Sequence, residues 1–321
     1  MNIAVALNSK YMRYTYVMLT SLFVNNADTE IRVFVLHNDL TDSDRKQLQG
    51  LAERCGNETV FLHIDKADFP KELPTTEAWT IETYFRLLLL DVLPQEIDRL
   101  LYIDVDMIVN KPLAELYATD FEGKNFCVCP DMTMVFPFPQ LHAEMFAEQI
   151  RNGFTYFNAG LMLWNVTKLR REGYCFARYM ELAKQLQYKL LAPDQDLLNY
   201  MHWDQVKYLD EYQYDLFSRL AYNKDVHYEE VKNATAIIHY AGMKPWEGEY
   251  IHYDIEQLWW DYAKKTPFYY ELMEEFLWAN LNKPVVYDMV TTMSEEKRQM
   301  KAELDKSVEV CRKLMQLLEQ K

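Results

Sequence analysis

Asp104 and Asp106 stand one residue apart, straight after the apolar run Leu100-Leu101-Tyr102-Ile103, and apolar character resumes at Met107-Ile108-Val109. In extended backbone the side chains alternate, which puts both carboxylates on one side and Val105 on the other. Two such charges at the end of a buried strand repel and lose solvation unless a cation sits between them. Oxygen ligands of this kind suit Mg²⁺ or Mn²⁺. The same spacing also fits a strand end whose acids are simply solvated, and this stretch alone leaves both readings open.

Other residues carry chemistry with a structural alternative beside it. Arg86 lies among Tyr84, Leu87, Leu88 and Val92 and needs an anionic partner there, either a structural acid or a ligand phosphate. Asn158-Ala159-Gly160 breaks an apolar strand with small residues, which lets a ligand approach the backbone or marks a bulge. Pro193-Asp194-Gln195-Asp196 reads as a helix start, where the dipole favours acids. That explains one acid better than two acids and a glutamine. His239 ends the last apolar strand, and Gly242 and Lys244 follow, the ingredients of a loop that wraps phosphate; a lone strand-end histidine also serves structure. Tyr11 offers a ring for a nucleobase, or packs on the helix behind it.

These residues need elements to hold them. Apolar runs predict strands at 3–7, 31–36 and 59–64, with a helical pattern over 14–23 and a helix over 42–55, the second capped by Thr41. Strand and helix in alternation give a parallel, doubly wound sheet, whose ligand loops lie at the carboxyl ends of its strands. A helix is predicted over 80–93, one strand over 100–109, further strands at 126–129, 155–165 and 236–240, and helical segments over 168–190 and from 193. Residues 131–152 read as irregular, with Phe136-Pro137-Phe138-Pro139, and as one wall of a cleft. From Tyr250 the chain becomes an aromatic helical region, and 294–321 a charged helix. There Leu304, Val308, Cys311, Met315 and Leu318 form a narrow apolar stripe suited to self-association or to docking.

The totals set limits. At 321 residues, half of them hydrophobic, the chain folds around a large core. Its formal charge of −15 argues against nucleic acid, which is held by clustered Lys and Arg. No apolar stretch of about 18 residues predicts a transmembrane segment, and Met1-Asn2-Ile3-Ala4-Val5 lacks the basic leader of a signal peptide. The tail has nearly balanced charges and no polybasic excess. Five cysteines without framework spacing are expected to be buried free thiols in a reducing, cytoplasmic compartment. No Gly-x-Gly-x-x-Gly follows the first strand, so a dinucleotide cradle is not expected.

In order, these blocks resemble glycosyltransferase family 8, the retaining UDP-sugar transferases that include lipopolysaccharide galactosyl- and glucosyltransferases and glycogenin. The blocks are Ala6 to Tyr11, Thr83-Tyr84-x-Arg86, Asp104-Val105-Asp106, Phe157 to Gly160, Asp194-Gln195-Asp196 with Asn199, and His239-Tyr240-x-Gly242 with Lys244-Pro245-Trp246. The resemblance runs from Asn2 to about Trp246. It implies a GT-A-type fold, a Rossmann-like doubly wound mixed sheet, with a catalytic domain over 1–249 and a helical C-terminal region over 250–321.

The resemblance also implies roles. Asp104, Asp106 and His239 would hold a divalent metal, Mn²⁺ or else Mg²⁺, on the diphosphate of a UDP-hexose. Lys244 and the backbone around Val105 and Gly242 would add to that grip. Tyr11 would stack on uracil, with Ala6 and Asn8 at its edge. Arg86, Asp194 and Gln195 would hold the donor sugar in a pocket lined by Asn158, Ala159 and Gly160. The acceptor is expected to be a saccharide or other hydroxyl compound facing segments 74–80 and 131–152. For the retained stereochemistry the front-side route is favoured, with a covalent sugar on Asp196 the alternative and Gln195 a poor nucleophile. A cytoplasmic protein, or one at the inner face of the membrane, fits this set.

Two positions depart from the family pattern. Asn8 stands where many relatives carry Asp, and the last block reads Gly-x-Lys where Gly-x-x-Lys is commoner. One residue fewer moves Lys244 by up to about 3.5 Å. Two rivals remain: a haloacid-dehalogenase-type phosphatase, against which about 100 preceding residues of sheet count, and a non-catalytic sugar-nucleotide binder or scaffold.

Overall fold

The computed structural model describes residues 1–76, 80–133, 140–248, 252–281, 294–295 and 297–309. The apolar runs become strands β1 (Asn2–Leu7), β2 (Arg32–His37) and β3 (Glu58–His63), parallel and in the order β3-β2-β1. Helices α1 (Met12–Asn25) and α2 (Asp42–Arg54) cross between them. Thr41 caps α2 in a reciprocal box with Asp44, which satisfies two otherwise orphaned N–H groups.

β4 (Arg99–Ile103) adds parallel to β1, and β7 (Phe157–Asn165) then lies antiparallel between β4 and β6 (Phe126–Pro130). β8 (Val206–Tyr208) closes a seven-stranded mixed sheet, ordered β3-β2-β1-β4-β7-β6-β8. Both faces are covered, and the strands alternate accordingly. Ile3, Val33 and Leu101 enter one cluster with α1 and α2, while Ala4, Phe34 and Tyr102 enter another with residues 84–93 and the helices Phe176–Gln185 and Pro193–His202.

Three sequence expectations are corrected. The 100–109 stretch is two strands, not one: β4 stops at Ile103, and β5 (Met107–Val109) joins a second sheet with β10 (Ile237–His239) and β9 (Leu216–Phe217). Asp104 and Asp106 therefore sit in a turn, closed by Met107 N–H donating to the Asp104 carbonyl at 3.3 Å, and not in extended backbone. Residues 80–93 form a 3₁₀ segment over Ile81–Leu88 and only then a short α-turn, Leu89–Val92. Finally, Cys127 and Cys129 are buried, but Cys55 at the surface end of α2 is exposed and Cys175 is partly exposed.

His202 lies fully buried beneath the sheet. Lys168 donates to Asn125 Oδ1, so the Asn125 amide nitrogen faces His202 Nδ1 at 3.0 Å, and Nε2–H is left to meet the Tyr179 hydroxyl at 3.0 Å. One neutral tautomer satisfies both bonds, and burial pushes the imidazole pKa down from 6.5 to about 3. A depressed histidine contributes nothing against the unfolded chain above about pH 6.5. As pH falls below that value, only the unfolded chain takes the proton, so stability is lost, by about 2 kcal/mol at about pH 5. Denaturant unfolding of wild type and His202→Gln across this range should show a shallower pH slope in the variant. Equal slopes would refute the assignment.

The chain divides into two compact units, Met1–Pro245 with His252–Tyr269, and Trp246–Ile251 with Tyr270–Lys321. In the second, the backbone near Gly248 runs so close to the helix Tyr269–Leu281 that a Cβ there would collide with that of Ala279. Residues 297–309 are helical, with Met300, Leu304 and Val308 exposed. Cys311, Met315 and Leu318 of the predicted stripe, and the run 136–139, lie outside the described residues. Among the described residues no helix is long and apolar enough to cross a membrane.

Candidate active site

The turn between β4 and β5 is where the chain leaves one sheet for the other, and it brings the acids to the end of β10. His239 pairs in register with Met107, and Tyr240 N–H donates to the Asp106 carbonyl at 3.0 Å. His239 Nε2 thereby comes within 3.4 Å of Asp106 Oδ1. Asp104 N–H donates to the Gly160 carbonyl at 2.8 Å, which seats the turn against β7. A Cβ on Gly160 would lie 2.8 Å from His239 Cε1, 2.8 Å from Asn158 Oδ1 and 2.9 Å from Asp104 Oδ2. Gly160 is thus the space that lets these three groups converge.

Arg86 ties the turn to the helix start at Pro193. Its guanidinium lies 2.9 Å from Asp104 Oδ1 and 2.9 Å from Asp194 Oδ2, and it donates to the carbonyls of Thr83 and Ala159. Tyr102 lies flat below it, 4.4 Å from ring centre to guanidinium carbon. The structure supplies acids as its partners, and places them where the ligand-binding alternative would also put it. Burial pushes Asp194 up to about 6 against the pull of Arg86.

Gln195 is clamped at both ends. Its Oε1 accepts from Ala159 N–H at 2.8 Å and Asn158 Nδ2 at 3.2 Å, and its Nε2 donates to Asp131 Oδ2 at 2.8 Å. Asn199 pins the preceding strand residue, accepting from Phe157 N–H and donating to the Phe157 carbonyl, both at 2.8 Å. β7 runs on as one strand here, but its pairing with β6 shifts register: Phe157 faces Pro130 and Met162 faces Val128. Asn158, Ala159 and Gly160 therefore lie in an irregularity of the kind the bulge reading expects.

Asp196 is placed differently from its neighbours. It is fully buried; Oδ1 accepts from the Tyr156 hydroxyl at 2.6 Å with His142 Nε2 at 2.9 Å, and Oδ2 accepts from the N–H groups of Leu191 and Ala192. Its carboxylate braces the loop before the helix, unlike the exposed group a nucleophile requires.

At the far end of β1, Ala6 and Leu7 lead to Asn8, whose Oδ1 accepts from Lys10 N–H and caps a 3₁₀ turn, Ser9–Tyr11. Tyr11 stands edge-on to Tyr14, ring centres 5.7 Å apart. Val105 is buried within the acidic turn, and Gly242 holds φ +85, the left-handed region in which a side chain is strained. Lys244 donates to the Asp106 carboxylate and, at 3.0 Å, to the Tyr240 carbonyl.

The profile of glycosyl transferase family 8 matches residues 2–249. The chain belongs to this family. The enzyme is similar to a lipopolysaccharide 1,2-glucosyltransferase of Escherichia coli, 26% identical over 76% of this chain and 73% of the relative. It is also similar to a lipopolysaccharide 1,3-galactosyltransferase of Salmonella typhimurium, 25% identical over 76% and 72%. Among solved structures it resembles the galactosyltransferase LgtC in complex with donor and acceptor sugar analogues, at TM-score 0.67 and 26% identity, covering 83% of this chain and 96% of that one. The fold is of the GT-A type, with a helical C-terminal region. The phosphatase and scaffold alternatives are not favoured.

The residues of this glycosyltransferase fit a divalent metal. Asp104, Asp106 and His239 each offer one ligand atom, all within 4.8 Å of one another. His239 donates through Nδ1 to Asp215 Oδ1 at 2.9 Å, which leaves Nε2 facing the acids, the arrangement in which an outer carboxylate orients a metal-binding imidazole. Against its burial, Asp106 and Asp215 raise the His239 pKa. Burial pushes Asp215 up to about 6, with His239 pulling the other way.

Asp215 and Asp131 escaped the sequence reading. Asp215 precedes a two-residue strand too short to register as apolar periodicity, and Asp131 follows β6 in a stretch without a motif. Asp39, which accepts from Ser9 N–H and Oγ beside Asn8, gave no signal either.

Proposed function

We propose that the enzyme is a metal-dependent, retaining hexosyltransferase that moves glucose or galactose from a UDP-sugar to a hydroxyl of a saccharide acceptor, in cell-surface glycan or lipopolysaccharide synthesis. The observation that carries this reading is the convergence of Asp104, Asp106 and His239 at the carboxyl end of β4, with Gly160 opposite. Residues 1–249 are read as the catalytic domain and 250–321 as a helical appendage. The compartment is read as the cytoplasm, with attachment at the inner membrane face and self-association through the terminal helix as parts of the same reading.

A divalent ion held by the three ligands, Mn²⁺ or else Mg²⁺, supplies Lewis-acid stabilisation of the charge that builds on the leaving diphosphate. The chain's own groups do the rest. Tyr11 gives the uracil a face, and Ala6 and Asn8 its edge. Arg86 fixes Asp104 and Asp194 relative to one another, so a donor hydroxyl meets a preset pair. Gln195, held by Asp131 and β7, presents an amide whose orientation is fixed, and a wrong epimer there leaves a buried group unpaired. The enclosure of Asp196 favours front-side attack over a covalent sugar on that residue.

The test is UDP release from a panel of nucleotide sugars with saccharide acceptors, with Mn²⁺ and after chelation. Turnover of UDP-glucose or UDP-galactose is expected, falling by at least about 100-fold without metal. Turnover of no donor, or turnover indifferent to chelation, would remove the proposal.

A further inference from the structure

The catalytic domain is read as ending at residue 249, yet the first compact unit also takes in His252–Tyr269. There Ile255, Leu258, Trp259, Tyr262 and Ala263 recur at helical spacing, across the turn Asp254–Glu256 and the helix Gln257–Ala263, and all five are buried. This face reaches the site's supports at three points. Trp259 packs on Tyr14, ring centres 6.4 Å apart, and Tyr14 in turn stands against Tyr11 at the start of α1. The Tyr262 hydroxyl accepts from Asn25 Nδ2 at 2.7 Å, at the end of α1, and donates to Asn110 Oδ1 at 3.3 Å, just past β5. The Ile255 carbonyl accepts at 3.2 Å from the hydroxyl of Tyr240, the residue after His239.

The three rings form a graded row: Tyr11 and Tyr14 are partly exposed, and Trp259 is fully buried. The buried end is fixed by its packing, and the open end is the ring that a base would meet. A stacking ring contributes most when it is held before the ligand arrives, because binding then has little left to immobilise.

We propose that Trp259 is a positioning residue for the nucleotide: through Tyr14 it sets the plane of the Tyr11 ring, so that the segment 252–269 completes the nucleotide site. This rests on the reading of Tyr11 as the face for uracil. Shortening Trp259 lets Tyr14 lean into the vacated space, and Tyr11 gains rotamers that base binding must remove. Ile255 and Tyr262 still seat the segment on Tyr240, Asn25 and Asn110, so the elements that hold the diphosphate stay in place. The effect therefore belongs to the base and not to the phosphates.

Calorimetric titration of UDP, and separately of inorganic pyrophosphate, into the full chain with Mn²⁺ tests this. Trp259→Leu is expected to weaken UDP binding about fivefold, the scale of a lost aromatic pair, and Trp259→Phe, which keeps a ring, to recover most of it. Pyrophosphate affinity should stay within about twofold of wild type in both. Tyr11→Leu alone should weaken UDP about tenfold through lost stacking. In that background Trp259→Leu should add nothing, since residues acting through one group are not additive. Tyr14→Leu enters the same cycle if Trp259→Leu is unstable. Unchanged UDP affinity in Trp259→Leu and Tyr14→Leu, an equal loss for pyrophosphate, or losses that add to that of Tyr11→Leu would overturn the positioning role. A Tyr11→Leu variant that binds UDP as wild type does, or a wild type that binds no UDP, overturns the base-stacking reading itself, and this proposal with it.

Discussion

Gly160→Ala should abolish transfer while leaving a folded protein. The added methyl would meet His239 Cε1, Asn158 Oδ1 and Asp104 Oδ2, all inside 3.0 Å. None of these is the loose end of a flexible chain. Asp215 holds His239, Arg86 holds Asp104, and Asn158 Oδ1 already accepts from Gly160 N–H at 2.8 Å. The cage must open, and a misplacement of about 1 Å costs about 100-fold in rate. Overpacking of this kind costs about 1–3 kcal/mol of stability, small enough for the fold to survive. UDP release, with thermal unfolding as a control, checks it; turnover within about threefold of wild type would show that the three groups need not converge.

Asp215→Asn should weaken Mn²⁺ binding by about 10–100-fold, the usual effect of altering a carboxylate behind a metal-binding histidine. The asparagine keeps the size of a fully buried side chain and can still accept from His239 Nδ1–H, but it loses the charge that makes Nε2 a better ligand. Titration of Mn²⁺ in the presence of UDP measures the loss. Unchanged affinity would mean that Asp215 only fills space and that His239 is oriented by β10 alone.

Much of the frame was legible because each element obeyed a local rule. Five apolar residues at 3–7 can only be buried on both faces, and Thr41 before a helical pattern marks a helix start. What was not legible depended on pairing between distant residues. Nothing local in Asp104-Val105-Asp106 says that Met107 leaves the sheet to pair with His239, yet that pairing, not strand alternation, gathers the ligands. Arg86 was read as needing an anionic partner, a structural acid or a ligand phosphate, but the sequence could not say that it takes two acids, Asp104 and the distant Asp194. Asp196 was read as the residue that a covalent sugar would occupy if the front-side route failed. One turn of geometry sends it instead into the pocket of Tyr156 and His142.

The measurement that bears most directly on the account is a crystal structure of the enzyme with Mn²⁺ and UDP. The account predicts one ion held by Asp104, Asp106 and His239 against the diphosphate, with Tyr11 on the uracil. An ion bound elsewhere, or a diphosphate lying away from those three side chains, would contradict it.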